Sequence, residues 1–224
     1  GREVHDPIVH DGVMYLTTTT RTIALAAGTC RERWVHTWEP QDDMVWPLNR
    51  GVAIQDGYVV RGTADGYLLA LDALDGALLW ARQVAKPAEG ETITMPPVIF
   101  DDRIIIGPAG SENKIQGWVG AFSLADGTPL WRFHTVPREG EAGTETWENR
   151  DDLPVGGGAV WTPLSLDVER GQIYIPVTNP APDFAAHLRR GDNLYTNSIV
   201  ALDARSGELQ WYRQLVPNDD KDWD

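Results

Sequence analysis

The sequence predicts an all-β chain folded as a β-propeller of four-stranded antiparallel blades. Three observations carry that expectation. An eleven-residue pattern recurs along the chain, short β-rich runs alternate with hairpin turns, and tryptophan is abundant, with 10 in 224 residues. The pattern is clearest at Ala70–Trp80, Ala121–Trp131 and Ala201–Trp211, where Gly76, Gly127 and Gly207 follow the Ala by six residues and precede the Trp by four. Internal repetition at this scale means that one supersecondary unit is copied. A fourth, degraded copy runs from Ala24 to Trp34, with Cys30 at the glycine position and Ala26 where Asp72 and Asp203 stand.

Each copy reads as a strand, a polar turn closed by Gly, and a second strand ending on Trp. The Gly supplies the positive φ of a tight hairpin, and Asp72 or Asp203 can accept bonds from turn amides. A large flat indole at a repeated position is best explained as a wedge between neighbouring sheets, so Trp34, Trp80, Trp131 and Trp211 are assigned to packing. Before each copy lie two further β-rich runs. Pro7-Ile8-Val9 and Val13–Leu16 flank Asp11-Gly12, Tyr58-Val59-Val60 follows Asp56-Gly57, and Arg103–Ile106 follows Asp101-Asp102. Asp65-Gly66 is further turn punctuation. Four strands per copy is a propeller blade. The intervals Trp34–Trp80 and Trp80–Trp131 suit blades with modest loops. Trp131–Trp211 is about thirty residues longer, and the surplus falls in Arg138–Pro154 and Pro180–Asn193. Loops of that length on a regular scaffold are often functional. Asp183–Arg189, the one faintly helical stretch, is read as part of an irregular insert. Residues 1–224 are therefore read as a single partial propeller domain, with blades ending near Trp34, Trp80, Trp131 and Trp211. About four blades are present, and a larger ring is expected.

Composition narrows the function. The net charge of −14 opposes binding to a phosphate backbone and suits a cationic partner or a metal ion. No apolar run is long enough to span a bilayer. The opening Gly1-Arg2-Glu3-Val4 has no secretory h-region, so the chain is read as mature or cut from something longer. A single cysteine, Cys30, cannot form an internal disulfide and leaves the compartment open.

The segments between the repeats carry a more specific signal. Asn49–Ala53, Glu91–Pro97, Trp131–Pro137, Gly156–Trp161, Val177–Pro182 and Gly191–Asp203, with the terminal Trp223-Asp224, occur in the order and near the spacing of one family. Together with the Ala-x-Asp-x-x-x-Gly-x-x-x-Trp repeat, they resemble the quinoprotein alcohol dehydrogenases, methanol and ethanol dehydrogenases among them. These are eight-bladed propellers with tryptophan-docking repeats that hold pyrroloquinoline quinone. The resemblance covers essentially the whole chain and corresponds to the N-terminal half of a full enzyme.

Residue by residue, the resemblance implies the following site. Glu112 and Asn179 match the family's calcium ligands, and Asp224 matches the catalytic aspartate that also approaches the metal. Carboxylate and amide oxygens are the donors a hard cation takes. Trp161 matches the indole on which the planar quinone lies, and the preceding Gly156-Gly157-Gly158 lets a group approach the backbone closely. Arg50 matches an arginine contacting the quinone, where a cationic fork suits its oxygens. Thr94 matches a threonine bonded to a quinone carboxylate, and Glu3 is the nearest match to an acidic cofactor residue, one residue off the family spacing. Taken singly, a loop Glu, Asn or Asp is usually solvated, and Arg50 alone suits a surface ion pair. The set in order is what points to a site.

Two departures stand out. The family's adjacent cysteine pair over the quinone falls at Met44-Val45, which leaves Met44 or Trp46 as candidate roof. Residues that the family places in its second half, including a cation near the quinone carbonyls, are absent. A second aspartate two positions beyond the catalytic one goes with a lanthanide in place of Ca²⁺, and the chain stops at Asp224. The implied reaction is oxidation of a small alcohol to an aldehyde or ketone, with electrons passing to a cytochrome c-type acceptor, in the periplasm. The rest of the propeller, or a second chain, would complete the ring. The rival readings are a non-catalytic propeller scaffold for protein assembly and a catalytically incomplete half-propeller.

Overall fold

The computed structural model describes residues 7–148 and 155–221. They form four four-stranded antiparallel sheets in chain order. The first comprises β1 (Ile8–His10), β2 (Val13–Thr17), β3 (Arg21–Ala26) and β4 (Glu32–Thr37). The second comprises β5 (Ala53–Gln55), β6 (Tyr58–Gly62), β7 (Tyr67–Asp72) and β8 (Leu78–Gln83). The third comprises β9 (Val98–Phe100), β10 (Arg103–Ile106), β11 (Trp118–Ser123) and β12 (Pro129–His134). A short strand, β13 (Gly156–Gly157), precedes the fourth sheet of β14 (Ser165–Asp167), β15 (Gln172–Val177), β17 (Ser198–Asp203) and β18 (Leu209–Gln214). β13 pairs with β16 (Pro180–Ala181), which leaves the fourth sheet between β15 and β17. This is the four-stranded blade of a β-propeller. No helix among the described residues is long and apolar enough to cross a membrane.

The hairpins follow from local chemistry. Asp11-Gly12 and Asp56-Gly57 place both central residues at positive φ, the twist that joins antiparallel strands in two residues. In the repeats, Asp72 Oδ1 accepts the Leu74 amide at 2.7 Å, and Asp203 Oδ1 accepts the amides of Arg205 and Ser206 at 2.9 Å. Those donors hold the Asp203 carboxyl below the usual carboxylate range. Asp65 is more than punctuation. It is buried, and it accepts Trp38 Nε1 and the Gln41 amide, pinning the link between the first two sheets.

The repeated Trp docks each sheet on the next. Trp34 Nε1 donates to Ala73 O at 3.0 Å, Trp80 Nε1 to Leu124 O at 3.1 Å and Trp131 Nε1 to Ala204 O at 3.2 Å. Each ring lies on the repeat glycine of the following sheet, so a Cβ at Gly76, Gly127 or Gly207 would stand 2.6, 2.8 or 2.6 Å from an indole carbon. Ala24, Ala70, Ala121 and Ala201, paired with the four Trp across their strands, are fully buried. Cys30 takes the same positive φ of 55° at the glycine position but is exposed. The glycine is therefore demanded by the neighbour's ring more than by the turn. Trp211 is 43% exposed, because no sheet follows it among the described residues.

Gly127→Ala combines a strained φ with contact against Trp80. It is expected to cost about 2–3 kcal/mol and to lower the melting temperature by roughly 5–10 °C, as measured by thermal denaturation.

The main core lies between the second, third and fourth sheets, built on Leu68, Ile93, Ile104–Ile106, Trp118, Ile173 and Val200. A smaller core of Val13, Tyr15, Trp34, Val59 and Leu71 joins the first sheet to the second. The Asp11-Gly12, Asp56-Gly57 and repeat turns occupy one end of the sheets. The longer connections occupy the other, and Asp183–Arg189 contributes only a 3-10 turn at Ala186–Leu188.

Candidate functional site

The loop end gathers Arg50, Thr94 and Trp161 from the segments before β5, β9 and β14. Asn49 shapes the first loop, with Oδ1 accepting the Gly51 amide and Nδ2 donating to Gly62 O. The Arg50 amide donates to Thr94 O at 2.9 Å, and its Nη1 donates to Thr94 Oγ1 at 2.7 Å. Its guanidinium carbon lies 4.6 Å from the centroid of the Trp161 ring, a cation–π contact. Thr94 is fully buried and Arg50 half-buried. Burial pulls the Arg50 pKa below its ordinary value, yet among the described residues the cation forms no ion pair. A partly desolvated guanidinium without a carboxylate is a seat for an anionic ligand.

A second cluster is knit by hydroxyls. Ser111 Oγ lies 2.8 Å from Thr178 Oγ1 and accepts the Ala159 amide at 3.0 Å, while Thr178 Oγ1 donates to Ala159 O at 3.2 Å. Each corner of this triangle adjoins a predicted site residue. Glu112 follows Ser111 in the 3-10 turn Ser111–Asn113, Asn179 follows Thr178, and Trp161 lies two residues beyond Ala159. Glu112 is exposed at the loop end. The triple glycine serves this assembly. A Cβ at Gly156 would stand 2.4 Å from the carbonyls of Lys114 and Ile115, and one at Gly157 would stand 2.5 Å from Asn179 O. What approaches those glycines is the protein's own backbone, where the sequence pattern had left room for a ligand.

Asn179 is 1% exposed, and its Nδ2 donates to Asp183 Oδ1 at 2.8 Å. Its Oδ1 is buried and has no hydrogen-bond partner among the described residues. A carboxylate only accepts, so the amide nitrogen must face Asp183, and the orphaned atom is the oxygen. An unpaired buried carbonyl oxygen is costly in isolation and is a good donor to a hard cation. No group of three His, Cys, Asp or Glu among the described residues is placed to hold a metal. Asn179 and Glu112 would therefore contribute part of a set. Glu3 and Asp224, with Trp223, lie outside the described residues. Met44 is 41% exposed and Trp46 half-buried, on the segment leading to Arg50.

Sequence reasoning missed three members of the loop end. Asp183 stood in the stretch read as an irregular insert. Arg189 is 1% exposed and donates to Pro182 O, Asp183 O, Asn193 Oδ1 and Asp219 O. Burial lowers its pKa, offset by Asp219 and Asp183. Asp219 in turn accepts Asn197 Nδ2 at 2.6 Å and the Lys221 amide at 3.0 Å, anchoring the segment that runs toward Asp224. The length of the Pro180–Asn193 loop was the only signal for the Asp183 and Arg189 contacts, and nothing signalled those of Asp219.

Together these features define a propeller whose loop end gathers a half-buried arginine, the indole it lies over and a buried amide oxygen without a partner among the described residues. The chain belongs to the quinone-dependent dehydrogenase propellers. The family model described as "PQQ: Glucose/ethanol/alcohol dehydrogenase, beta-propeller domain" matches residues 2–224. The quinohemoprotein alcohol dehydrogenase ADH IIB of Pseudomonas putida is 34% identical over 239 residues, covering 97% of this chain and 34% of the relative. The solved structure of quinohemoprotein alcohol dehydrogenase ADHIIG from Pseudomonas putida HK5 superposes with a TM-score of 0.89 at 33% identity, covering 99% of this chain and 35% of that one. A europium-containing methanol dehydrogenase superposes with a TM-score of 0.86 at 28% identity, covering 97% of this chain and 42% of that one. The chain spans roughly a third of the length of the curated relative it matches.

Proposed function

We propose that this chain is the cofactor-carrying part of a pyrroloquinoline quinone- and metal-dependent alcohol dehydrogenase, oxidising a small alcohol to an aldehyde or ketone. The observation that carries the reading is the convergence of Arg50, Thr94 and Trp161 from three separate loops, with the Arg50 cation unpaired among the described residues. Trp161 supplies the aromatic floor. Arg50 and Thr94 offer donors to quinone oxygens, and Glu3 is a further candidate contact. Asn179 Oδ1, Glu112 and Asp224 supply hard oxygens to Ca²⁺ or a lanthanide. The likeness to a europium-containing enzyme supports keeping both metals.

When bound, the quinone would supply a two-electron acceptor for the alcohol and the metal a Lewis acid. The residues of this chain orient and screen the reactants. Asp224 takes the hydroxyl proton of the alcohol as its carbon is oxidised. Electrons leave to a cytochrome c-type acceptor, a reading supported by the quinohemoprotein relatives and by the acidic surface. A periplasmic location fits this chemistry. The exposed Trp211, Tyr212 and Leu215 support further propeller sheets, in the same protein or a second chain, packing against the fourth sheet.

The test is reduction of an artificial electron-acceptor dye by the purified protein supplied with quinone, Ca²⁺ or La³⁺, and short primary alcohols. Alcohol-dependent reduction is expected. Its absence with every metal, together with failure to retain quinone absorbance, would favour a non-catalytic scaffold.

A further inference from the structure

We propose that Asp183 is an outer-sphere positioning residue for the metal, fixing the Asn179 amide so that its oxygen faces the ion. The inference rests on the functional reading above and extends it to a residue of the irregular insert.

The geometry is specific. Both acceptors near the Asn179 nitrogen, Asp183 Oδ1 at 2.8 Å and Pro180 O at 3.5 Å, can bond only to N–H. Rotating the amide by a half-turn would set its oxygen against a carboxylate and a carbonyl, so the orientation is locked. The oxygen is left buried and unpartnered among the described residues. Donation from the amide N–H to an ionised carboxylate also shifts electron density toward Oδ1, making it a stronger ligand. Outer-shell carboxylates act on metal-bound ligands in the same way.

Asp183 is itself held in place. Arg189 donates to Asp183 O at 2.7 Å and to Pro182 O at 3.0 Å. It also donates to Asp219 O, on the segment running toward Asp224. One buried guanidinium thus fixes the loop after Asn179 against the chain that leads to the proposed base.

The test is isothermal titration of Ca²⁺, and separately La³⁺, into the quinone-supplied protein, comparing wild type with Asp183→Ala and Asp183→Asn. The alanine variant is expected to weaken metal binding by about 10–100-fold, while the melting temperature of the metal-free protein stays unchanged. Asparagine keeps an acceptor opposite Asn179 Nδ2 but neither the charge nor the accept-only chemistry, so its affinity should fall between those of wild type and the alanine variant. Asp183→Ser, one bond too short to reach the amide, carries the alanine expectation should that variant not fold. Wild-type affinity in the alanine or serine variant overturns the role of Asp183 while leaving the functional reading intact. A wild-type protein that binds neither metal overturns the functional reading, and this inference with it.

Discussion

Asp224→Asn is expected to lower kcat by about 10²–10⁴-fold, the usual contribution of a positioned general base. Asparagine keeps an oxygen that can approach the metal but cannot accept the alcohol proton at neutral pH. The loss should therefore persist at saturating metal and quinone and appear in kcat more than in retained cofactor. Among the described residues, the segment that precedes it is anchored at Asp219 by Asn197 and Arg189. Steady-state kinetics on the metal-saturated variant decide the matter. A kcat within threefold of wild type would remove Asp224 from the proton-transfer role.

Arg61→Met is expected to produce the largest loss of stability. Arg61 is 1% exposed and donates to the carbonyls of Gly62, Arg21, Thr18 and Thr19 and to Thr22 Oγ1. Burial lowers its pKa to about 10, so it is still charged at neutral pH. It is the buried stitch between the β2–β3 hairpin of the first sheet and β6 of the second. Methionine fills comparable volume but leaves those carbonyls without their donor at a partly buried interface. Hydrogen bonds to charged groups contribute about 1.5–3 kcal/mol each and are not additive, so about 3–5 kcal/mol is expected. For a chain of this size that is a fall of roughly 10 °C in melting temperature. Arg61→Lys, which retains a charge but not the fork, should fall between the two. A methionine variant as stable as wild type would show that water satisfies the hairpin instead.

The architecture was legible because its determinants are local and repeated. Asp-Gly pairs dictate the hairpins, and the six- and four-residue spacings put Ala, Gly and Trp where one sheet meets the next. The copy at Cys30 shows what the spacing encodes, since a side chain is tolerated at the glycine position where no ring presses on it. The candidate site was legible only as a set of residues in family order. Arg50, Thr94 and Trp161 are brought together, yet nothing local to any of them announces it. The contacts that sequence reasoning missed are long-range and polar. Asp183 and Arg189 look like ordinary loop charges until the fold buries one and aims the other at Asn179. The glycine run before Trp161 was visible, but only the structure shows that backbone, and not a ligand, fills the space beside it.

The measurement that tests the central claim most directly is equilibrium binding of pyrroloquinoline quinone, followed by fluorescence, to wild type, Arg50→Gln and Trp161→Ala in the presence of Ca²⁺. One equivalent should bind to wild type, and each variant should bind at least about tenfold more weakly, the loss of a single charge-assisted bond or stacking face. Quinone binding that is absent from wild type, or equally tight in both variants, would contradict the assignment of this loop end as the cofactor seat.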